Sequence, residues 1–507
     1  MKKLPSLLTL GIGCLCASLF AAGCGRDAPT PPSTSHAVAV QKPKPTQASK
    51  KEPRFPVANS QPAPLVQPRP ADPPAAAVAL PEKTLEDLVN RASAEEFNLP
   101  QVDDATIAAA GIRKLSSEHL ILYTDLPAAA EVDELPAVFD QAVPQWCRYF
   151  DIPQEQAAKW KVAGCLMRDK ERFAGAGLLP VNLPDFVHGF QRGSQFWWYP
   201  EVGTYYPRHQ MLHEGTHAFM NRFLGGAGPP WYMEGMAEML GLHSWKEGKL
   251  TLAYSPKSKE EVPYWGRVKI VRDDYAAEKG LMLEDVFRFD SRAHLKTGPY
   301  GWSWAAAAFL DAHPATQAAF RELKSKTSDR SSDFSKGLIE RVVTQWPAVR
   351  EDWQLFIVNV DYGYDVARSA VVRKAVAAGL PAQGAKATIA ADRGWQSTGL
   401  RLEGGKKYRL KASGRYEVAR TPQVWTCEPG GVTIRYHQGA PLGMLLASVG
   451  DLDQPTSGVT PLARAQPIGL AGELEPASTG TLYLKINDSP AELADNAGTL
   501  SVEIQAR

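Results

Sequence analysis

Two histidines and a glutamate stand together at a spacing that suits a metal centre. His213 and His217 lie four residues apart in the run His-Glu-Gly-Thr-His, and Glu214 directly follows the first histidine. Residues four apart share one face of an α-helix, so a helix here would direct both imidazoles at one point. Zn²⁺ favours imidazole nitrogens, and catalytic zinc sites combine three protein ligands with a water. Zinc lowers the pKa of that water from about 15.7 to about 7, and Glu214 is placed to take its proton as general base.

Two further carboxylates follow on the next predicted helix. Glu234 comes seventeen residues after His217, and Glu238 comes four residues after Glu234. The glycine- and proline-rich run at 225–230 separates them from the histidines and is typical of a helix end. The pattern therefore predicts two helices joined by a turn, the first beginning near residues 206–208, each presenting polar groups from one face. The alternative is two surface helices whose His and Glu side chains are merely solvated.

The pattern HExxH followed by W-x-x-E-G-x-A-E resembles the gluzincin branch of the zinc metallopeptidases. More closely it resembles the peptidase MA-like proteins, which include a group catalogued as a domain of unknown function. The resemblance implies an α+β zincin-like domain in which His213, His217 and Glu234 bind zinc and Glu214 is the base. Glu238 matches a carboxylate that orients a ligand histidine.

The same resemblance implies a tyrosine that stabilises the oxyanion, at some distance after the ligand glutamate. Tyr300 is the candidate, and the alternative is a core aromatic beside Trp302 and Trp304. The implied activity is hydrolysis of peptide bonds by a zinc-bound water that Glu214 activates. An endopeptidase is favoured over an aminopeptidase because no motif for anchoring an N-terminal amine is present.

Aromatic strand formers precede the HExxH motif. They occupy Gln195–Tyr199 and continue through Thr204–Tyr206. These residues are a candidate for the edge strand against which gluzincins lay an extended substrate. An ordinary hydrophobic hairpin is the alternative.

The N-terminus predicts export and a lipid anchor. Residues 1–3 are Met-Lys-Lys, residues 4–22 are mostly apolar, and small residues precede Cys24. This order is typical of a secretory signal peptide. It resembles a bacterial lipobox, which implies removal of residues 1–23 and lipid attachment at Cys24. The resemblance implies a location at a membrane facing the periplasm or cell surface, with the outer membrane favoured because Gly25 rather than an aspartate directly follows Cys24.

Composition divides the rest of the chain. Residues 24–82 form a predicted disordered tether, because they are rich in proline and alanine and poor in aliphatic residues. The remainder is too long to fold around one ordinary hydrophobic core. It is predicted to hold a gluzincin-like metallopeptidase domain at 83–381 and a β domain at 382–507.

Charge, hydropathy and cysteine content bear on binding partners, membrane spans and disulfides. The chain has 56 basic and 55 acidic residues. The sequence contains no basic stripe of the kind that would predict a nucleic-acid partner. After the N-terminal segment, the sequence contains no second long apolar segment that would predict a membrane span. In an exported protein Cys147 and Cys165 are candidates for a disulfide, and Cys427 is left over.

Strand-like runs alternate with glycine-rich turns after residue 382. They predict an all-β sandwich, with strands at 399–402, 407–412, 431–436, 444–449, 481–486 and 499–504.

The last segment resembles the calcium-dependent galactose-binding lectins of the PA-I type. Asp488, Asp495 and Asn496 match the calcium ligands of that fold and are hard oxygen donors. Glu492 stands at a further ligand position but differs in residue type. The run at 436–439 departs from the family's sugar-contacting spacing. A galactoside or other glycan is therefore an expected partner only by resemblance, and the alternative is a β domain that positions the peptidase.

Two functions from different classes remain at this point. The first is a lipid-anchored zinc peptidase that acts on a peptide or protein substrate, with a calcium-dependent, carbohydrate-targeting β domain. The second is a catalytically inactive surface protein that binds carbohydrate or protein through a zincin scaffold. The complete ligand set and the intact Glu214 favour the first, because a decayed site would be expected to lose one of them.

Overall fold

A five-stranded mixed sheet supports the region that carries the HExxH motif. The computed structural model describes residues 97–180, 182–293, 296–374, 377–452 and 458–507. The strands of this sheet are β1 (Arg113–Ser116), β2 (Leu120–Thr124), β3 (Val162–Leu166), β4 (Gly189–Arg192) and β5 (Gln195–Trp198). Their order across the sheet is β1-β2-β3-β5-β4. The three inner strands are parallel, and the outer strands β1 and β4 are antiparallel to their neighbours.

Helices make up most of the remaining structure up to residue 374. They are α1 (Asp104–Ala109), α2 (Ala130–Asp133), α3 (Leu135–Phe150), α4 (Gln154–Ala157), α5 (Lys170–Gly175), α6 (Tyr205–Phe223), α7 (Pro230–Gly241), α8 (Arg267–Ala276), α9 (Leu283–Val286), α10 (Thr297–Ala312), α11 (Gln317–Glu322), α12 (Ser332–Arg341), α13 (Trp346–Asn359) and α14 (Val366–Ser369). A hairpin of β6 (His243–Lys246) and β7 (Lys249–Leu252) follows α7, and short 3₁₀ turns occupy Lys259–Glu261 and Leu323–Lys326.

Helix α6 is a core helix. Fifteen of its nineteen residues are buried, which is typical of a helix enclosed by other elements rather than of a surface helix. Phe219 packs against Trp146 and Phe150 of α3 and against Trp160. Two solvated surface helices, the alternative left open by the sequence, are therefore wrong for α6.

Helix α7 lies close to both α6 and α10. The approach to α10 is tight, since a Cβ added at Gly235 would lie 2.6 Å from the Ser303 carbonyl oxygen and 2.9 Å from the Ala307 Cβ. Trp231 anchors the start of α7 by donating a hydrogen bond from Nε1 to Ser335 Oγ at 2.9 Å. These contacts fix the helix that presents Glu234.

The predicted edge strand is wrong in position. Gln195–Trp198 is β5, which pairs with β3 on one side and with β4 on the other. The strand on the outside of the sheet is β4, and Tyr205 and Tyr206 belong to the start of α6. A strand whose two neighbours are both strands reads as an apolar run, and the aromatic residues at 196–198 reflect this burial.

The predicted disulfide is also wrong. Cys147 and Cys165 are both buried free thiols. Cys147 lies on α3 and packs in the main core, whereas Cys165 lies on β3 in a separate apolar cluster with Tyr123 and Trp197. Because the two side chains belong to different clusters, they do not meet.

The C-terminal region is rich in β-structure. Its strands are β8 (Ala378–Gly379), β9 (Ala385–Ala390), β10 (Gln396–Leu402), β11 (Tyr408–Ser413), β12 (Tyr416–Ala419), β13 (Trp425–Cys427), β14 (Val432–His437), β15 (Ala440–Leu442), β16 (Leu445–Gly450), β17 (Gln466–Pro467), β18 (Ala471–Leu474), β19 (Gly480–Ile486) and β20 (Thr499–Ala506), with 3₁₀ turns at Pro461–Ala463 and Leu493–Asp495. A five-stranded sheet of order β17-β16-β19-β10-β8 and a four-stranded sheet of order β18-β11-β20-β9 share one apolar core. An α+β region followed by a β-rich region is thus confirmed.

Several predictions fall on residues outside those described. The signal peptide at 1–23, Cys24 and the tether at 24–82 all lie there, so they stay predictions, as do the domain limits. Among the described residues, no helix combines the length and the apolar character needed to cross a membrane.

Candidate metal centre

Three acceptor atoms from α6 and α7 form a small buried triangle. The Nε2 atom of His213 lies 3.1 Å from Nε2 of His217 and 3.2 Å from Oε2 of Glu234. The third side, from His217 Nε2 to Glu234 Oε2, is 3.6 Å. None of the three residues is more than 8% exposed. The structure therefore brings together the three side chains that the sequence predicts as metal ligands.

The triangle has the dimensions of one face of a tetrahedral zinc site. Ligand distances of about 2.0–2.2 Å place neighbouring ligand atoms roughly 3.3 Å apart. Glu234 Oε2 is buried and has no hydrogen-bond partner among the described residues, and a cation bound between the three atoms would satisfy it. Two imidazoles and one carboxylate therefore fit a divalent metal and suit zinc.

The electrostatics of Glu234 agree with a ligand role. Burial works against its ionisation, but the adjacent His213 and His217 side chains outweigh burial and hold the pKa of Glu234 well below its usual range. The side chain is therefore a carboxylate, which is the form that binds a metal.

Glu214 lies against the edge strand β4. A Cβ added at Gly189 would come within 2.3 Å of Glu214 Oε1, so the strand backbone packs directly on this carboxyl group. Burial raises the pKa of Glu214 to about 8, and the neighbouring Glu234 and Glu238 carboxylates act in the same direction against His217. A carboxyl with a pKa near neutrality is suited to accept and return a proton.

Glu238 is surrounded by four side chains with nitrogen atoms. Trp265 donates from Nε1 to Oε2 at 3.0 Å, and Arg267 donates from Nη2 to Oε1 at 2.8 Å. His209 Nε2 lies 3.4 Å from Oε2, and His213 Nδ1 lies 3.5 Å from Oε1. His209, His213 and Glu238 are close enough to hold a metal, but Trp265 and Arg267 already occupy both oxygens. The predicted role of Glu238 in orienting His213 fits this geometry.

Tyr300 faces the same space from α10. Its ring centroid lies 6.1 Å from that of His213, and the ring lines the cavity at the metal centre. Burial raises the pKa of Tyr300 well above its usual value, and the carboxylates of Glu234 and Glu214 add to the effect. The phenol therefore stays protonated and is available as a hydrogen-bond donor. Trp302 and Trp304, by contrast, are core residues.

A cavity of about 730 Å³ opens onto the triangle. One wall is a single face of α6, formed by Tyr206, Gln210, His213, Glu214, His217 and Asn221. Another wall is the segment 184–191, which leads into and includes most of β4. This volume lies in the range of sites that bind small molecules or peptide segments.

Three residues of the site have no signature in the sequence. They reach the centre only through the tertiary fold: Gly189 from β4, Arg267 from the first residue of α8, and Trp265 from the segment just before that helix. Gly189 stands alone before a short strand, and Trp265 and Arg267 lie nearly thirty residues beyond Glu238 in a stretch of no recognisable pattern.

The predicted calcium ligands are only partly assembled. Asn496 Nδ2 donates to Asp488 Oδ2 at 2.8 Å, so these two side chains meet. Asp495 Oδ1 and Asn496 Oδ1 are buried and have no hydrogen-bond partner among the described residues. Glu492 instead accepts two hydrogen bonds from Arg435 Nη2, each at 2.6 Å. The two orphaned oxygens fit a hard cation, whereas Glu492 is already neutralised.

Comparisons with known proteins give only distant likenesses. No family model and no curated protein matches the sequence. Among solved structures, the chain is similar to the N-terminal domain of EclA, a PllA-like lectin, at 22% identity over 24% of this chain and 95% of that one, with a TM-score of 0.19. It is also similar to IMPa from Pseudomonas aeruginosa, solved in complex with an O-glycopeptide, at 11% identity over 82% of this chain and 42% of that one, with a TM-score of 0.14. At these TM-scores neither likeness supports a functional conclusion.

Proposed function

We propose that this protein is a zinc-dependent peptidase of the gluzincin type. The observation that carries the proposal is the buried triangle of His213, His217 and Glu234 beside Glu214 in an accessible cavity. Zinc held by these three residues would supply a Lewis acid and bring the pKa of water to about 7.

The side chains of the site divide the remaining work. Glu214 takes a proton from the attacking water and returns it to the leaving amine. Tyr300 donates a hydrogen bond to the carbonyl oxygen as negative charge develops there. Glu238 Oε1 lies 3.5 Å from His213 Nδ1, where its negative charge can orient that ring.

Strand β4 offers a docking edge for an extended polypeptide. Tyr199 N donates to His188 O at 3.1 Å, and hydrogen-bonded pairs alternate along an antiparallel ladder. Gly189 and Gln191 therefore direct their backbone N–H and C=O groups away from β5, towards the open side of the sheet. A substrate strand added there would run along the cavity wall next to Glu214. An internal segment of a chain can bind in this way, which favours an endopeptidase.

The proposal is tested with the purified chain and two variants, Glu214→Gln and Glu155→Gln. Glu155 is an exposed glutamate and serves as the control. We expect one zinc per chain in all three proteins, cleavage of a peptide library by the wild type and the control, and a loss of about 10²–10⁴-fold in Glu214→Gln. A zinc-loaded wild type that cleaves no peptide would support the inactive binding protein instead.

A second function is favoured by the orphaned oxygens near Asp488. We infer that Asp488, Asp495 and Asn496 bind Ca²⁺ and that the β-rich region uses this ion to hold a galactoside or another glycan. The support is the pair of buried, unpartnered oxygens on Asp495 and Asn496. Retention on immobilised galactosides that is lost with a chelator is the expected result, and retention unaffected by the chelator would contradict it.

We also infer that the protein is exported and held at a membrane through lipid on Cys24. The support is the order of basic, apolar and small residues before that cysteine. Incorporation of labelled fatty acid into the wild type, and none into Cys24→Ser, is the expected outcome. Equal labelling of both proteins would contradict it.

A further inference from the structure

Arg267 contacts both Glu238 and Tyr300 but is not one of the three proposed metal ligands. Its guanidinium donates to Glu238 Oε1 at 2.8 Å and lies 5.5 Å from the centroid of the Tyr300 ring. The residue is only 7% exposed. A buried cation at such a distance over an aromatic face attracts the ring, and the planar guanidinium can serve the carboxylate and the ring together.

The local backbone explains how this position arises. Gly266 adopts φ +65° immediately before α8, a conformation that residues with a side chain rarely take. Trp265 and Arg267 flank this glycine and each donates to a different oxygen of Glu238. The carboxylate is thereby held from two sides while it faces Nδ1 of His213.

We propose that Arg267 is a positioning residue that couples the orientation of the ligand His213 to the placement of Tyr300. Through Glu238 it keeps a carboxylate opposite His213 Nδ1, which leaves Nε2 free to bind a metal. Through its ring contact it keeps Tyr300 over the cavity. The inference rests on the proposed function, because it assigns a role to Arg267 within that same site.

The two links give distinct signatures in variants. Glu238→Gln should weaken metal retention, because it removes the negative charge that lies 3.5 Å from His213 Nδ1. Tyr300→Phe should leave metal retention unchanged and lower only kcat. Arg267→Met should weaken metal retention and lower kcat, because it removes the contacts by which Arg267 holds Glu238 and Tyr300. Arg267→Lys should recover most of the metal retention, since it keeps a positive charge beside Glu238.

The experiment measures zinc release from the full chain to an excess of chelator, together with the visible spectrum of the Co²⁺-substituted protein and kcat at saturating zinc. We expect zinc release from Arg267→Met to be about 10–100-fold faster than from the wild type, with a changed Co²⁺ spectrum. With zinc saturated, its kcat should still fall as far as that of Tyr300→Phe. The inference would be overturned if folded Arg267→Met released zinc at the same rate as the wild type. It would also be overturned if the kcat of Arg267→Met at saturating zinc equalled that of the wild type.

A double variant separates these effects from misfolding. Arg267→Met alone leaves a buried carboxylate without its partner, which destabilises a fold strongly. Glu238→Gln combined with Arg267→Met removes both charges, so it should fold and still release zinc as fast as Glu238→Gln alone. If the wild-type chain binds no zinc at all, the metal centre itself is wrong. If it binds zinc but cleaves nothing, the proposed activity fails and zinc release alone decides the role of Arg267.

Discussion

The three glutamate side chains of this site differ widely in pKa. Burial raises the pKa of Glu214 to about 8, whereas the histidines hold that of Glu234 low. Burial also opposes ionisation of Glu238, but Arg267 and then His209 outweigh it and hold its pKa well below the usual range. Groups whose surroundings push their pKa values apart in this way mark the division between a proton carrier and fixed charges.

Gly189 is predicted to be necessary for the position of Glu214. In Gly189→Ala the new methyl group would overlap Glu214 Oε1, since an ideal Cβ lies 2.3 Å from that atom. The carboxyl must move from this position, and displacing a reacting group by about 1 Å can cost about 10²-fold in rate. We expect kcat to fall by about that factor while zinc content is unchanged. Gly379→Ala is the control, because no atom lies within 4 Å of a Cβ there; equal activity of the two variants would contradict the prediction.

His243 is predicted to make stability fall in mild acid. Burial lowers its pKa to about 3, and its ring stacks on Tyr205 at a centroid distance of 4.4 Å. Since its pKa is lower in the folded state than in the unfolded chain, the unfolded chain binds the proton first as pH falls below about 6.5. This loss amounts to about 1.4 kcal/mol per pH unit below that value and ends near the folded pKa.

The comparison with His243→Phe isolates this contribution. Phenylalanine keeps a ring against Tyr205 but does not titrate. Between pH 7 and pH 5 the free energy of unfolding of the wild type should fall by about 2 kcal/mol more than that of the variant. Denaturant unfolding at the two pH values measures this difference, and parallel losses in both proteins would show that His243 is not the cause.

At the scale of elements, α6 and α7 were predictable because their signals are local. Ligand spacing, the glycine- and proline-rich break at 225–230 and the apolar positions of α6 all lie within a few turns of each other. Within 130–150 the chain forms two helices, α2 and α3, with a break at Glu134. Pro136 lies in the first turn of α3, a position where the missing N–H of proline costs nothing.

The edge of the sheet was not predictable from the same kind of signal. Both β4 and β5 are four residues long, and the stronger aromatic run belongs to the inner strand β5. Which strand is outermost depends on pairing of β5 with β3, about thirty residues earlier in the chain. The roles of Gly189 and Arg267 depend on such distant contacts too, so the sequence indicated the ligand set, Glu214, Glu238 and Tyr300 but not these two residues.

Close packing of α7 on α10 is predicted to control metal affinity. Gly235→Ala would place a methyl group 2.6 Å from the Ser303 carbonyl oxygen, so α7 must shift and carry Glu234 with it. Overpacking of this kind costs about 1–3 kcal/mol, and zinc should dissociate at least about 10-fold faster. The control is Gly337→Ala in α12, where nothing lies within 4 Å of the added Cβ. Unchanged zinc release from Gly235→Ala would contradict the coupling.

At the scale of the molecule, charged and polar contacts join α13 to the β-rich region. Arg373 Nη2 lies 2.7 Å from Glu351 Oε2 and 2.8 Å from Asp352 Oδ1. Thr460 Oγ1 donates to Glu351 Oε1 at 2.7 Å, and Asp352 Oδ2 lies 2.9 Å from Nε2 of His313, the residue directly after α10. A network buried in this way is costly to break by removing one member, so α10, α13 and the C-terminal strands are expected to unfold together.

The loop of Asp488 to Asn496 takes part in the same junction. Asp365 N donates to Pro490 O at 3.1 Å, and Gly363 lies against Ala491. Order in this loop is therefore linked to residues next to α14 as well as to the β-rich region.

Calcium is predicted to stabilise the chain through Asp488. Burial raises the pKa of Asp488 from 3.8 to about 6, so without a cation its charge costs stability, an effect absent below about pH 4 and complete above about pH 6. The shift corresponds to about 3 kcal/mol. Ca²⁺ should offset this cost and raise Tm above pH 6, and its effect should fade as pH drops through 6 and Asp488 takes up a proton.

Asp488→Asn distinguishes this electrostatic account from nonspecific binding of calcium. Without calcium the variant should have a higher Tm than the wild type at pH 7.5, because the buried charge is gone, and the same Tm at pH 4. With calcium it should show no rise at either pH. Glu503→Gln, an exposed change on β20, serves as the control and should follow the wild type throughout. A calcium-dependent rise in Asp488→Asn equal to that of the wild type would mean that the ion binds elsewhere, and a lower Tm without calcium would mean that the Asp488 charge stabilises the loop rather than strains it.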